Sequence, residues 1–536
     1  MKVKGLLAAS SALAIGLGIF GSNYVFADDN SSSSTEASSS DVDASKTVKK
    51  QTGDVLTSYS LMTKVAGNKN YKVWKTINKG KAQGKVADGI DFRYNHIQST
   101  QSIKTGKYTY WFIYVDGRPV GWVNQNYFAR NKISVPKTVT LVRNENALFD
   151  SRDAISYATD ETGTVVDNSE VSVSKDSISC TDPASYKVKY KIGKTTATVN
   201  ITVRKSTKEG IGDSSKVIAK PGVSDLTSWK SHYGSSLNYI SPKEFQPETN
   251  THVFTSGEMT LSTRLFQPVL LSVKTDTDDG YINRVGHIPE GVTTSNGWAY
   301  TSLLSSTKLL QGHIVGYNLN ELTDPIEPQN LLTMSQSKFN KYVKNIKVSP
   351  YLPIGHGQAM GSTDKYIYVL VNDHSEKISK DSEQLIQIRK SDLEINKIWT
   401  IKCWDGDDSK PRYFQNAVIT SDYQLYGVYY DPTSNRYEYW ELNRKGDNWY
   451  PTIVGATSGT FVGDGSPVQG FTYDPENQNF YLAFNDLIVK INRSGDYQKS
   501  FKFTTGREIE GMSVMNNRLY VNLAQRAELL ESNKLD

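Results

Sequence analysis

Cysteine is almost absent from this chain of 536 residues, which has only Cys180 and Cys403, far apart and without a Cys-x-x-Cys pair. The scarcity excludes a disulfide scaffold and a thiolate zinc site. Seven histidines occur, and no two have close metal-ligand spacing. The His-Glu-x-x-His and Gly-x-Ser-x-Gly motifs are also missing. We therefore expect no metal, no cofactor and no enzymatic activity.

Charge of one sign and long apolar runs are scarce as well. The formal net charge is only +5, and the lysines and arginines form no dense block, so nucleic acid is not an expected partner. Beyond the N-terminus, no stretch approaches the roughly 18 consecutive apolar residues of a membrane span. The sequence thus predicts no transmembrane segment.

The N-terminus predicts export. Lys2 and Lys4 precede the apolar run LLAASSALAIGLGIFG, and Val25-Phe26-Ala27 offers small residues for cleavage, so residues 1–27 read as a signal peptide. Residues 28–53 are Ser-rich and bury little apolar area, which predicts a disordered linker. The composition suggests a Gram-positive bacterium. The final residues carry no Leu-Pro-x-Thr-Gly sorting motif, so we expect any wall attachment to be non-covalent.

The second half of the chain contains a repeat. Five times, an acidic or amide residue opens a short apolar run that leads to a strand carrying tyrosine. A repeat of roughly 40–70 residues with only strand signals predicts a propeller or another radial array. The five stretches are EGVTTSNGWAYTSLL, QAMGSTDKYIYVLV, QNAVITSDYQLYGVYY, QGFTYDPENQNFYLAF and EGMSVMNNRLYVNLA.

A later strand of alternating apolar and polar residues follows in four of these units, for example LIVKINRSGD. The fold is therefore expected to be all-β, with a propeller over residues 217–536 that has five blades or another number; an irregular β-sandwich is the alternative. The last unit lacks a strand, and Leu265–Val273 is expected to supply it and close the ring.

The opening residues of the five units are the candidate ligand-binding site. The innermost strand of each blade lines the channel of a propeller, so equivalent openings form a ring near one mouth. Such a ring suits a hydroxyl-rich ligand, a cation or water; alternatively, its side chains only join neighbouring strands. The candidates are Glu290, Gln358, Gln415, Gln469 and Glu510, with His287 and His356 just before two of them.

Residues 54–130 are aromatic and basic, and end in TYWFIYVDGRPVGWVNQNYFAR. The strand, the Asp-Gly turn and the Gly-Trp-Val segment resemble the GW-dipeptide modules of Gram-positive surface proteins, which are Src-homology-3-like barrels. The resemblance implies binding to wall polymers of the teichoic-acid type, to glycans or to peptides. Trp111, Trp122 and Tyr127 are the wall-binding candidates, although Trp122 is equally readable as a buried core residue.

Residues 134–204 carry short alternating strands between Asp, Asn and Gly turns. The segments FDSRDAISYATDETGT, PASYKVKYKI and ATVNITV resemble bacterial surface Ig-like domains, which implies a β-sandwich stalk without a site of its own. In that family a glycine usually precedes the tyrosine strand, whereas Ala184-Ser185 stands here.

The repeat region resembles the helveticin-type proteins of lactobacilli through HGQAMGSTDKYIYVLVND, VQGFTYDPENQNFYLAF and EIEGMSVMNNRLYVNLA. The combined interpretation is an adhesin-like protein on the cell wall, whose propeller binds a glycan or a host surface ligand. One alternative is a secreted bacteriocin acting on a competitor's envelope. A minor alternative is a glycoside hydrolase using two ring carboxylates.

Overall fold

All residues that the computed structural model describes belong to one compact unit, Lys49–Asp536. The signal peptide, the Ser-rich linker and His287 lie outside the described residues. Residues 116–117, in the predicted Asp-Gly turn, also lie outside them. The described ranges are 71–89, 97–115, 118–128, 130–143, 148–155, 157–161, 165–204, 208–213, 221–222, 248–268, 288–306, 311–329, 341–371, 383–404, 412–457, 459–461, 468–524 and 527–535.

The first module is an antiparallel sheet of five strands in the order β2-β1-β5-β4-β3. Its alternating apolar residues bury one cluster, which includes Val73, Ile113 and Val123. A short 3-10 turn, Gln125–Tyr127, follows the last strand. The strands are β1 (Lys72–Asn78), β2 (Lys81–Asp88), β3 (Ile97–Thr105), β4 (Tyr108–Val115) and β5 (Arg118–Asn124).

The Gly-Trp dipeptide of this module has a steric explanation. Trp122 on β5 lies opposite Trp74 on β1. A Cβ atom added to Gly121 would lie 2.5 Å from the carbonyl oxygen of Trp74, closer than two such atoms can approach. Only glycine therefore allows β1 and β5 to pair at this point, next to a buried indole.

Residues 132–204 form three small sheets around one apolar cluster. The long hairpin of β13 and β14 carries the alternation seen in the sequence, and β7 joins β14 in parallel. Two 3-10 turns, Ser151–Ala154 and Asn168–Glu170, connect strands. The strands are β6 (Lys132–Ser134), β7 (Thr138–Val142), β8 (Leu148–Asp150), β9 (Tyr157–Thr159), β10 (Val165–Val166), β11 (Ser172–Val173), β12 (Ser177–Ser179), β13 (Ala184–Ile192) and β14 (Thr195–Arg204).

The Ig-like assignment of this part stays a prediction. The link after β14 contributes two strands that pair with the repeat region, as described below. These are β15 (Lys208–Asp213) and β16 (Pro221–Gly222), and the next two strands before the repeats are β17 (Val253–Ser256) and β18 (Met259–Phe266).

The described residues of the repeat region form five sheets of antiparallel strands, numbered here sheets 1 to 5 in chain order. Sheet 1 has β19 (Ile288–Ser295), β20 (Trp298–Ser306), β21 (Gln311–Asn318), β22 (Ile346–Val348) and β23 (Leu352–Pro353), with a 3-10 turn at Val343–Asn345. Sheet 2 has β24 (Met360–Ser362), β25 (Tyr366–Val371), β26 (Glu383–Arg389) and β27 (Ile395–Trp404). Sheet 3 has β28 (Asn416–Ser421), β29 (Gln424–Asp431), β30 (Arg436–Lys445) and β31 (Asn448–Thr457).

Sheet 4 has β32 (Gly470–Asp474), β33 (Asn479–Phe484), β34 (Leu487–Asn492) and β35 (Tyr497–Lys502). Sheet 5 has β36 (Ile509–Met515), β37 (Arg518–Leu523) and β38 (Glu528–Lys534), joined by β18 and β17. The first strands touch in the order β19, β24, β28, β32, β36 and back to β19. The chain is thus all-β with a C-terminal β-propeller, in which first strands surround the channel.

Outer edges of two sheets are covered by the link from the second module. β15 pairs in parallel with β27, and β16 pairs in parallel with β31. These pairings satisfy backbone groups that an edge strand otherwise leaves open.

An upstream strand supplies the missing strand of the last repeat. β18 pairs antiparallel with β38 in sheet 5. The strand ends at Phe266, so only Leu265 and Phe266 of the predicted Leu265–Val273 segment belong to it. Pro268, which has no N–H to donate, follows two positions after the strand end. The closure by an upstream strand is confirmed, but β18 begins at Met259, before the predicted start, and residues 269–273 of the predicted segment lie outside the described residues.

Candidate functional site

The five opening residues lie at the starts of the first strands. Glu290 is within β19 and Glu510 within β36. Gln415 and Gln469 directly precede β28 and β32, and Gln358 stands two positions before β24. The small residue after an opening is explained by crowding of the strands. A Cβ atom on Gly291 would lie 2.1 Å from the carbonyl oxygen of Gly357, and one on Gly511 would lie 2.7 Å from the Cα atom of Gly291.

Three of the five openings are in direct contact. The amide nitrogen Nε2 of Gln358 donates to Oε1 of Gln469 at 2.7 Å and to Oε2 of Glu510 at 2.8 Å. These residues come from three different sheets and are more than 40 positions apart in the chain. The structure therefore brings together side chains that the repeat alone placed at equivalent positions.

Glu290 belongs to the same cluster through His356. The imidazole Nδ1 lies 3.5 Å from Oε2 of Glu290, and Glu290 is only 3% exposed. Glu290 also interacts with the carboxyl groups of Glu508 and Glu510. His287, the other candidate imidazole, lies outside the described residues.

Glu508 is a member of the cluster that the sequence reasoning missed. Its carboxylate accepts a hydrogen bond from Nε2 of Gln469, and it is buried. A signal was available, because Glu508 stands two positions before Glu510 and strand side chains repeat every two residues.

Gln415 is placed differently from the other openings. Its backbone N–H donates to the carbonyl of Val428 at 2.8 Å. Its side-chain Oε1 is buried and has no hydrogen-bond partner among the described residues. A buried acceptor without a partner costs roughly 1–3 kcal/mol.

The electrostatics favour proton sharing within the cluster. Burial raises the pKa of Glu510 well above its usual value, and the carboxylates of Glu508 and Glu290 raise it further. Burial likewise raises the pKa of Glu290, with His356 partly opposing the shift. Burial alone would lower the pKa of His356, but Glu290 and Glu508 outweigh it and the net pKa is raised.

This arrangement has a definite chemical character. The cluster combines amide N–H donors and an imidazole with amide and carboxyl oxygen acceptors, and the proximity of its buried carboxyl groups favours their neutral form. No group of three His, Cys, Asp or Glu side chains among the described residues has a geometry that holds a metal ion.

The two tryptophan candidates of the first module are buried. Trp111 is 2% exposed and stacks on Phe128 at 5.3 Å between ring centroids, and Trp122 is 1% exposed. In this arrangement neither indole exposes a face on which a wall sugar could stack. Tyr127 is half-buried and keeps an accessible surface.

No helix within the described ranges has the length and apolar character needed to cross a membrane.

Comparison with known proteins identifies one module. The family model of the GW (Gly-Tryp) dipeptide domain matches residues 54–129. GW domains are typical of bacterial surface and secreted proteins, so the chain carries a module of that class. No curated protein matches the sequence.

Solved structures similar to the chain include the glutaminyl cyclase of Myxococcus xanthus, at 10% identity, with 53% of this chain and 97% of that chain covered and a TM-score of 0.28. Another is the β-propeller domain of Cps50 (Swd1) from Myceliophteria thermophila, at 10% identity, 51% and 65% coverage and a TM-score of 0.23. BamB from Moraxella catarrhalis matches at 11% identity, 54% and 92% coverage and a TM-score of 0.21. Such low similarity transfers neither ligand nor activity.

Proposed function

We propose that this protein is an extracellular binding protein, held non-covalently on a bacterial cell wall by residues 54–130, whose propeller binds a glycan or another surface ligand. The observation that carries the proposal is the GW match over residues 54–129. The predicted signal peptide agrees with export. The Ig-like region would then act as a spacer between the wall and the propeller.

The ring at the starts of the first strands supports the ligand-binding half of the proposal. Gln358, Gln415, Gln469 and His356 are only partly buried, so a molecule at this mouth can reach them. Their amides and imidazole, together with the buried carboxyl groups, present donors and acceptors in one place. Sugar hydroxyls both donate and accept, and therefore suit this mixture of groups.

The wall association is tested by sedimentation with purified cell walls. The chain starting at residue 28 is compared with one lacking residues 54–130. The longer chain is expected to sediment with walls and to be released by concentrated LiCl, because contacts to an anionic wall polymer are screened by salt. Equal sedimentation of both chains would refute wall binding through this module.

The ring is tested by glycan-array binding of Gln415→Leu, with the exposed Gln498→Ala as its matched control. Gln415→Leu removes an acceptor that has no partner among the described residues, so its stability should not fall, whereas its ligand binding should. Full retention of glycan binding in this variant would remove Gln415 from the site.

The same preparations separate the adhesin from the bacteriocin alternative. An adhesin on its own producer is expected to bind that strain's walls without killing related strains. A zone of inhibition from the purified mature chain on related bacteria would instead favour the bacteriocin.

A further inference from the structure

A second cleft lies between sheets 2 and 3, at the other end of the strands from the ring. It has a volume of about 360 Å³. Lys365 stands in the turn after β24, and Tyr423 stands in the turn after β28. Since the ring residues stand at the beginnings of the same strands, the cleft and the ring open toward opposite faces of the propeller. The main lining residues are Lys365, Tyr366, Lys397, Trp399, Tyr423 and Arg444.

Arg444 is a preorganised cation in this cleft. Its guanidinium lies 4.9 Å from the ring centre of Trp399, 4.7 Å from that of Tyr423 and 5.9 Å from that of Trp449. Its nitrogens Nε and Nη1 donate to the backbone carbonyls of Asp422 and Gly446 at 2.9 and 3.0 Å. Aromatic rings and carbonyls thus fix the guanidinium, and its charge is not neutralised by a hydrogen-bonded carboxylate among the described residues.

The cleft is cationic as a whole. The lining contains three cationic side chains and one carboxylate, that of Asp422; the cations are Lys365, Lys397 and Arg444. The Oδ1 atom of Asp422 already accepts hydrogen bonds from the hydroxyls of Thr363 at 2.7 Å and Tyr368 at 2.8 Å. Lys397 pairs with Asp447 outside the lining. The exposed Lys365 and the fixed Arg444 therefore set the sign of the local potential.

An aromatic surface completes the cleft. Tyr423 is 61% exposed although it is a large hydrophobic residue, and it covers one side of Arg444. Tyr366, from the neighbouring sheet, is half-buried. Exposed tyrosine offers an apolar ring face together with a hydroxyl that hydrogen-bonds.

We propose that this cleft binds an anionic saccharide, with the sugar ring against Tyr423 and its carboxylate or phosphate group on Arg444 and Lys365. The planar guanidinium matches either anion with two parallel hydrogen bonds. A volume of about 360 Å³ lies within the usual range for small-molecule sites. The site is separate from the ring, and its existence does not depend on what the ring binds.

Calorimetric titration of the full chain with glucuronic acid, glucose 6-phosphate and glucose tests the proposal. One or both of the anionic sugars should bind about tenfold or more tightly than glucose, because charge-assisted hydrogen bonds are about twice as strong as neutral ones. Their binding should weaken with added salt. The tighter of the two anionic sugars identifies whether a carboxylate or a phosphate is preferred.

Two variants at the exposed rim, Tyr423→Ala and Lys365→Gln, should each weaken the binding of the anionic sugar about fivefold or more. Tyr450→Ala is the matched control, because Tyr450 is 52% exposed on β31 but does not line the cleft. Absence of binding by both anionic sugars, equal binding of glucose, or equal losses in Tyr450→Ala and Tyr423→Ala would each overturn the proposal.

Discussion

Replacing Gly291 by alanine tests the crowding of the inner strands directly. The new Cβ atom would lie 2.1 Å from the carbonyl oxygen of Gly357 and 2.8 Å from that of Gln358. Both contacts are with backbone, which has no rotamer to escape into. The strands must therefore separate, and the hydrogen bond from the Gly291 N–H to the Gly357 carbonyl, now 3.1 Å, must lengthen or break.

The expected cost of Gly291→Ala follows from two terms. Overpacking a rigid site costs about 1–3 kcal/mol, and a lost backbone hydrogen bond adds about 1 kcal/mol. A decrease of about 2–4 kcal/mol in the free energy of unfolding would lower the Tm by roughly 3–6 °C in a domain of about 320 residues, since the unfolding entropy is about 2.1 cal/mol/K per residue. Urea unfolding followed by tryptophan fluorescence, with calorimetry for the Tm, measures both.

Gly470→Ala is the matched control, since Gly470 holds the position after an opening residue in another sheet. Its Cβ atom would meet Cγ of Met512 at 3.2 Å and Cβ of Ala483 at 3.3 Å, and the methionine side chain can shift. The gain of about 0.4–1 kcal/mol from a less flexible unfolded chain offsets this strain, so little net change is expected. Equal effects of the two substitutions would refute the close approach of β19 to the chain before β24.

Three further predictions concern other parts of the chain. Glu510→Gln should flatten the dependence of Tm on pH. A carboxyl group whose pKa is raised in the folded state stabilises the fold fully below its unfolded pKa, and this contribution is lost as the pH rises through the folded pKa. Parallel Tm curves for the variant and the wild type from acid to alkaline pH would contradict the prediction. Arg507→Met should destabilise the propeller by about 3–5 kcal/mol in urea unfolding, because it leaves the carboxylate of Glu528, which is 0% exposed, without its buried cation. An unchanged free energy of unfolding would show that the contacts of His252 and Thr263 are enough to stabilise the buried carboxylate. Gly121→Ala should lower the stability of the first module by about 2 kcal/mol or more, because the new Cβ atom clashes with the backbone of Trp74. Proteolysis of the module measures this loss. Unchanged protection from the protease would argue against the pairing of β1 with β5.

The repeat pattern in the sequence is enough to predict that the opening residues of the units lie close together. Gln358, Gln469 and Glu510 are distant in sequence, yet equivalent positions in a closed array must lie around one axis. The number of blades and the identity of the Ig-like region stay predictions, although the described residues form five sheets in the repeat region. Glu508 was within reach of the same reasoning, because the period of two along a strand places it near Glu510.

Other features depended on information that no repeat carries. Whether Trp111 and Trp122 face solvent is decided by how the five-stranded sheet of the first module curls over its own core, and an alternating pattern does not say which face is inside. The closing strand was misplaced for a similar reason. The apolar run from Leu265 onward looks like a good strand, but Pro268 interrupts it and β18 lies on the other side of that interruption.

The crowding and the candidate site are parts of one arrangement. Because a residue without a side chain at Gly291 lets β19 approach the chain that precedes β24, Glu290 comes within 3.5 Å of His356 across two sheets. β19 is equally close to β36: a Cβ atom added to Gly511, the residue after Glu510, would lie 2.7 Å from the Cα atom of Gly291. Separating these strands would therefore move the carboxyl groups apart before it unfolds the propeller. The loss of ligand binding in Gly291→Ala should consequently exceed what its loss of stability accounts for.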